Sequence, residues 1–268
     1  MKDKVVLITG ASSGIGRALA HTFASKGSRI VLMARREDQL KALEAELAKA
    51  NSSVAYFVGD VSKETDCRAF IDLAMQRFGR IDVLINNAGL SMRALFNEVN
   101  LDVLRQLMDV NFWGTVYCTK YALPELLKSK GSLVGISSIA GKKGLPARTG
   151  YSASKFAMEG FMETLRTENL KKGLHVLVAC PGFTASNIRN VALAKDGTSQ
   201  GESPRDEQKM MSAEEVAERI YRGIVDRKRD LVMTGEGKLA VWLNRLFPSW
   251  SDKLIFNHMA KEADSPLK

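Results

Sequence analysis

A chain of 268 residues with 45% apolar side chains is long for an average domain but normal for a single α/β unit, and the apolar fraction is ample for a core. Lys plus Arg exceed Asp plus Glu by 39 to 30, which suits an anionic partner such as a phosphorylated cofactor, but the excess is scattered, so a nucleic-acid groove is not expected. The cysteines (Cys67, Cys118, Cys180) and histidines (His21, His175, His258) lack ligand spacing, and no apolar run reaches the roughly 18 residues of a membrane span; the expectations are core thiols, no metal site and a cytoplasmic protein.

Lys2 and Lys4 before Val5-Val6-Leu7-Ile8 loosely resemble a signal peptide, but Thr9 and Gly10 cut the apolar run short. The run instead predicts a strand buried on both faces. It feeds Gly10-Ala11-Ser12-Ser13-Gly14-Ile15-Gly16 and then a helical pattern through Leu19, Phe23 and Ala24. Strand, glycine turn and helix together make a pyrophosphate site, because the backbone can approach closely and the helix N-terminus offers N–H groups and positive charge. The spacing is GxxxGxG rather than the general GxGxxG. The next strand, Arg29 to Met33, ends at Ala34-Arg35-Arg36, where an NAD site would place a carboxylate on the ribose. Two guanidinium forks there suit a 2′-phosphate, so NADP(H) is favoured over NAD(H). The alternative has Arg35 and Arg36 as turn residues, with Glu37 or Asp38 on the ribose. Leu40, Leu43, Leu47 and Ala48 mark an amphipathic helix.

Val54 to Val58 is a third strand, ending at Gly59-Asp60-Val61; Phe70, Leu73, Ala74 and Phe78 stripe the helix after it. Ile81 to Ile85 is a fourth strand, closing on Asn86-Asn87-Ala88-Gly89. Strands alternating with helices of this length predict right-handed crossovers and an α/β fold, a Rossmann-like doubly wound parallel sheet of about seven strands with helices on both faces. Its ligand sites lie beyond the C-terminal strand ends. A long helical pattern follows from about Leu101 to Leu126, with Asn111 inside it as a candidate polar contact.

The strand 132–137 leads to Ser138, whose hydroxyl could hold a carbonyl oxygen; twelve residues separate it from Tyr151-Ser152-Ala153-Ser154-Lys155 on a helix. Tyr151 and Lys155 share one helical face. A phenol titrates near ~10, but a cation within roughly 4–6 Å lowers that by about 1–3 units and makes it a usable acid or base. Taken alone such a pair more often marks a solvated helix face; the rest of the chain reverses that reading. A sixth strand, His175 to Cys180, ends at Pro181-Gly182-Phe183-Thr184. Residues 187–212 lose periodicity and read as a substrate loop. A helix over 213–225 opens with a capping box of Ser212 and Glu215, and Leu231-Val232-Met233 is a short last strand. No interdomain linker is visible, so residues 1–268 read as one domain with a C-terminal extension, 236–268. That extension carries Trp242, Phe247, Trp250 and Phe256, more apolar surface than a solvated tail needs, interrupted by Pro248. A flap over the substrate opening that also joins a homodimer or homotetramer is expected, with peripheral membrane contact as the alternative.

Over residues 3–235 the chain resembles the single-domain branch of the short-chain dehydrogenase/reductase family. The residues that carry the resemblance are Thr9-Gly10 through Gly14-Ile15-Gly16, Asp60-Val61, Asn86-Asn87-Ala88-Gly89, Asn111, Ser138, Tyr151 through Lys155, and Pro181-Gly182. The resemblance implies that Tyr151 is the acid/base, that Lys155 lowers its pKa and holds the nicotinamide ribose, that Ser138 orients the substrate oxygen and that Asn111 anchors a water in the proton relay. It also implies that Asp60 contacts the adenine and that Asn87 lines the cofactor cleft. Thr184 and Ser186 are both candidates for the carboxamide contact. The substrate is expected to be a small carbonyl or alcohol compound, of apolar character because Leu90, Met92, Leu95, Ile139, Leu145 and Phe183 are placed around the site without an arginine cluster. A nucleotide-binding regulator or scaffold without turnover is the competing reading; such proteins usually lose the tyrosine or lysine, and both are present here.

Overall fold

Short apolar runs joined by segments long enough for a helical crossover have one way to pair side by side, in parallel. In the computed structural model, which describes residues 1–49, 53–185, 187–201, 210–262 and 265–268, the strands are β1 (Val5–Thr9), β2 (Arg29–Ala34), β3 (Val54–Val58), β4 (Val83–Asn86), β5 (Ser132–Ile136), β6 (His175–Cys180) and β7 (Asp230–Val232). They form one seven-stranded parallel sheet in the order β3-β2-β1-β4-β5-β6-β7. The order reverses between β1 and β4, the point at which such sheets leave a crevice beyond their strand ends.

Alternation along each strand sends its side chains to two cores. Val6, Ile8, Ile30 and Leu32 pack under α1 (Gly14–Ser25), α2 (Glu37–Lys49) and α7 (Ala213–Val225). Val5, Leu7, Val31 and Met33 pack under α3 (Glu64–Phe78), α5 (Gly114–Lys128) and α6 (Thr149–Glu168). Phe23 and Phe70 are fully buried, one in each core, and burying such a ring contributes about 1.5–3 kcal/mol. All three cysteines are buried thiols.

The helical pattern expected as one element over 101–126 is instead α4 (Leu101–Met108), a π-helical turn (Asp109–Trp113) and α5. The extra residue in that turn carries Asn111, fully buried, into contacts described below; single π turns of this kind recur at functional sites. At α7 the Ser212 hydroxyl accepts from the Glu215 N–H at 3.0 Å, but the Glu215 carboxylate pairs with Arg219 at 2.6 Å, so the capping box is half formed. The loop over residues 187–212 has structure of its own where it is described: Leu193 bridges to Met92 and Ser199, inside a small third core with Leu90, Ala94 and Val103. Beyond β7 lie α8 (Gly235–Leu246) and α9 (Pro248–Ala260), broken at Phe247 because Pro248 supplies no N–H to the preceding helix and suits a first turn.

Candidate active site

The chain leaves β1 through Gly10 at φ +64° and enters α1 through Gly14 at φ +51°, conformations that L side chains resist. A Cβ on Gly10 would stand 2.8 Å from Ala88 Cα, and one on Gly16 would overlap the Gly10 carbonyl and the Asn87 amide. Thr9 Oγ1 accepts from the Asn87 and Ala88 N–H groups, each at 3.0 Å, while Asn87 Nδ2 donates to the carbonyls of Thr9 (2.9 Å) and Gly10 (3.2 Å). These bonds stitch the glycine turn to the end of β4. Ser13, the N-cap of α1, makes no side-chain cap, so the first-turn N–H groups face the cleft and suit a pyrophosphate.

At the end of β2, Arg35 and Arg36 line the same cleft. The Arg36 guanidinium donates to Ser12 Oγ at 3.0 Å, and Arg35 lies 3.9 Å from Asp60. The rival ribose carboxylates turn elsewhere: Glu37 pairs with Lys41 at 2.7 Å and Asp38 accepts from Gln39 at 3.0 Å. Asp60 Oδ1 accepts from both the N–H and hydroxyl of Ser62, which fixes its loop, and Val61 packs beside it on Gly114.

Ser138 follows β5 as the N-cap of a 3₁₀ turn, its hydroxyl accepting from Ala140 N–H at 3.2 Å. α6 brings Tyr151 and Lys155 to the same wall. The Lys155 ammonium lies 5.9 Å from the Tyr151 ring centre and donates to the Ile136 carbonyl at 2.8 Å. Burial pulls it down to about 8. Tyr151 departs from expectation: burial pushes its phenol above the ordinary range, and the opposing pull comes from the Ser138 hydroxyl and the Arg148 guanidinium. Lys155 stands over the face of the ring and donates to the Ile136 carbonyl, and the phenol stays above its ordinary range with the ammonium in that place.

Asn111 differs in detail too. Its Oδ1 accepts from Leu90 N–H at 2.8 Å, and its Nδ2 donates to the Leu90 carbonyl and to Ser154 Oγ, both at 2.9 Å. Ser154 in turn donates to the Tyr151 carbonyl at 2.8 Å. The side chain clamps the strand-end loop to the Tyr151 helix. It still flanks Lys155: a Cβ on Gly89 would be 3.1 Å from Asn111 Oδ1 and 3.5 Å from Lys155 Nζ.

The cleft has a volume of about 420 Å³ and runs from the glycine turn past Ser138, Tyr151 and Lys155 to Pro181, Gly182 and Thr184. Thr184 is buried and donates back to the Gly182 carbonyl at 3.2 Å; Ser186 lies outside the described residues. Of the apolar side chains expected at the substrate end, Leu90, Leu145 and Phe183 line it. Met92 sits behind, its Sδ accepting from Gly150 N–H at 3.3 Å, Ile139 packs towards Gly237, and Leu95 is not in the wall. Arginines are present after all: Arg148 and Arg189 line the cleft, and Glu262 stands 3.7 Å from Arg93 and 3.9 Å from Arg148. Met259 and Glu262 bring the C-terminal segment to the opening. Arg148, Arg189 and Glu262 were missed because they are far apart in the sequence and carry no shared spacing.

A nucleotide cradle at the switch point, facing a wall of Ser138, Tyr151 and Lys155, defines a pyridine-nucleotide oxidoreductase. The chain matches the short chain dehydrogenase family over residues 4–196 and belongs to it. Among its relatives, a Drosophila melanogaster "Dehydrogenase/reductase SDR family protein 7-like" is 37% identical over 98% of this chain and 81% of its own. The Xenopus tropicalis "Dehydrogenase/reductase SDR family member 7B" is 35% identical over 100% of this chain and 88% of its own. Of solved structures, an alcohol dehydrogenase from Thermococcus sibiricus complexed with 5-hydroxy-NADP is similar with TM-score 0.77 and 27% identity, covering 87% of this chain and 96% of that one. A short chain dehydrogenase/reductase from Burkholderia phymatum in complex with NAD is similar with TM-score 0.83 and 25% identity, covering 93% and 95%.

Proposed function

We propose that the protein is an NADP(H)-dependent oxidoreductase acting on the carbonyl or alcohol group of an apolar small molecule, with Tyr151 as acid/base. When bound, the nicotinamide gives or takes the hydride. Tyr151 gives its phenolic proton to the carbonyl oxygen in reduction and takes it back in oxidation. Ser138 holds that oxygen by a hydrogen bond, and Lys155 supplies positive charge beneath the ring. Leu90, Leu145, Phe183 and Met259 give the substrate end its apolar surface.

The observation that carries the cofactor preference is the contact between Arg36 and Ser12 beside Arg35, a pair of cations and a hydroxyl where a 2′-phosphate would lie. Replacing Arg35 and Arg36 with alanine is expected to weaken NADPH by about 1.5–3 kcal/mol per lost charge-assisted contact and to leave NADH nearly unchanged. Fluorescence titration with both nucleotides checks this; equal losses would remove the assignment.

The C-terminal helices serve the reading twice. The inner face reaches the cleft through Met259 and Glu262, while Trp242, Phe247 and Trp250 on the outer face are 54%, 54% and 57% exposed. The second face suits a contact with another copy of the chain, in a homodimer or homotetramer. Among the described residues no helix is long and apolar enough to cross a membrane. Deleting residues 236–268, which removes both helices, is expected to raise KM for an apolar carbonyl compound, to reduce the number of subunits in the particle seen in sedimentation and to spare NADPH affinity. Unchanged kinetics and mass with lost binding to anionic vesicles would make the segment a peripheral membrane contact instead.

A further inference from the structure

One turn beyond Lys155 on α6 stands Glu159, so that Tyr151, Lys155 and Glu159 follow each other at four-residue intervals along one face. Its carboxylate has a side-chain exposure of 11% and collects donors from three other segments. Ser137 Oγ donates to Oε1 at 2.5 Å, Cys180 Sγ reaches the same oxygen at 3.6 Å from the end of β6, and Lys142 Nζ pairs with Oε2 at 2.6 Å. Lys142 also meets Asp230 at 3.3 Å, at the start of β7. Space is tight: a Cβ on Gly141 would overlap both Glu159 Oε1 and Ser137 Oγ. A buried carboxylate is retained at such a place only with its donors in register.

We propose that Glu159 is a positioning residue with two roles: it fixes the strand end that presents Ser138 against the Tyr151 helix, and its negative charge keeps the buried Lys155 protonated at neutral pH. The first role follows from the Ser137 bond, one residue before Ser138, and from Lys142, which closes the 3₁₀ turn that Ser138 caps. The second follows from the charges around Lys155. On its own helix these are Tyr151 and Glu159; from β6 comes Cys180; beyond Glu159 lie Lys142 and Asp230. The Cys180 thiol is pushed up by burial and is neutral, as is the Tyr151 phenol, so the carboxylate of Glu159 supplies the countercharge that offsets the cost of burying the ammonium.

The proposal rests on Lys155 working as a cation in the oxidoreductase reading, so its test has one arm independent of turnover. In cofactor-free protein, the ¹³Cε resonance of Lys155, assigned by its loss in Lys155→Met, reports the titration of the ammonium. Glu159→Gln is expected to move that titration to lower pH, and Lys142→Gln, which strips a cation from the same network, to move it to higher pH. Opposite shifts do not arise from loss of stability. In turnover, the alkaline limb of kcat/KM for Glu159→Gln moves to lower pH, with activity at pH 8 falling roughly five- to tenfold and that at pH 6 staying within about twofold; Glu159→Asp restores most of it. An unshifted Lys155 titration in folded Glu159→Gln overturns the electrostatic role. Should Glu159→Gln not fold, an unshifted or downward-shifted titration in Lys142→Gln overturns it equally. Shifted titrations in a protein without turnover would leave Glu159 as assigned and remove the oxidoreductase reading.

Discussion

Tyr151→Phe is expected to abolish reduction of every carbonyl compound the protein accepts, a loss of about 10²–10⁴-fold in kcat, the range that a positioned general acid supplies. The phenol is the group in the cleft whose proton can reach a carbonyl held by Ser138, and phenylalanine keeps its packing while removing that proton. NADPH affinity should hardly change, because the glycine cradle and the end of β2 lie away from the hydroxyl. Stopped-flow absorbance of NADPH with a carbonyl panel, beside a nucleotide titration, separates the two quantities. A wild-type protein that binds NADPH and turns over nothing across the panel would favour a regulator that has kept the fold; retained turnover in the phenylalanine variant would move the proton transfer to another residue.

The order in which the chain revealed itself follows the range of the forces involved. Strands such as Val5–Thr9 are local, β-branched and apolar throughout, and a parallel sheet covered on both faces demands that composition. The helix Ala213–Val225 is bounded by a cap and ends where expected. Gly10, Gly14 and Gly16 are legible because a backbone that approaches a phosphate closely admits no Cβ. Ser138, Tyr151 and Lys155 meet because one strand end and one helix carry them. The π turn at 109–113 was hidden, since a single extra residue leaves the apolar spacing of the surrounding helices almost intact and only the buried contacts of Asn111 justify it. Which of Leu90, Met92, Ile139 and Leu145 would face the cleft was equally hidden, because a half-turn of loop decides it. The meeting of Arg148 with Glu262, 114 positions later in the sequence, is purely tertiary. The elevated Tyr151 phenol is a further case: sequence spacing placed the cation near the ring, but burial and the Ile136 carbonyl determine what that cation does.

Lys155→Met should yield an enzyme that is both nearly inactive and more stable. The ammonium is 4% exposed and titrates at about 8, against an ordinary 10.5, because burial disfavours its charge. A lysine whose folded value is depressed opposes folding at any pH below about 8 and is progressively relieved as pH rises towards 10.5. The full displacement corresponds to about 3 kcal/mol at neutral pH. Methionine has similar length and no charge to bury, but it forfeits the bond to the Ile136 carbonyl, a loss of about 1 kcal/mol. The net gain should be roughly 1–3 kcal/mol at pH 7, fading as the pH approaches 10.5, read from urea unfolding at a series of pH values. Activity should fall by at least about 10²-fold, with any remaining turnover displaced to alkaline pH, because the cation over the ring is gone and only the Ser138 hydroxyl and the Arg148 guanidinium then favour the phenolate form of Tyr151. Lys155→Arg should not rescue it, since a planar fork cannot occupy the space of a compact ammonium between Gly89 and Ile136. A methionine variant less stable than wild type at pH 7 would mean that the buried ammonium is a net support of the fold, and an unshifted profile would mean that it does not tune Tyr151. A buried cation kept against the interest of stability marks a site selected for its chemistry.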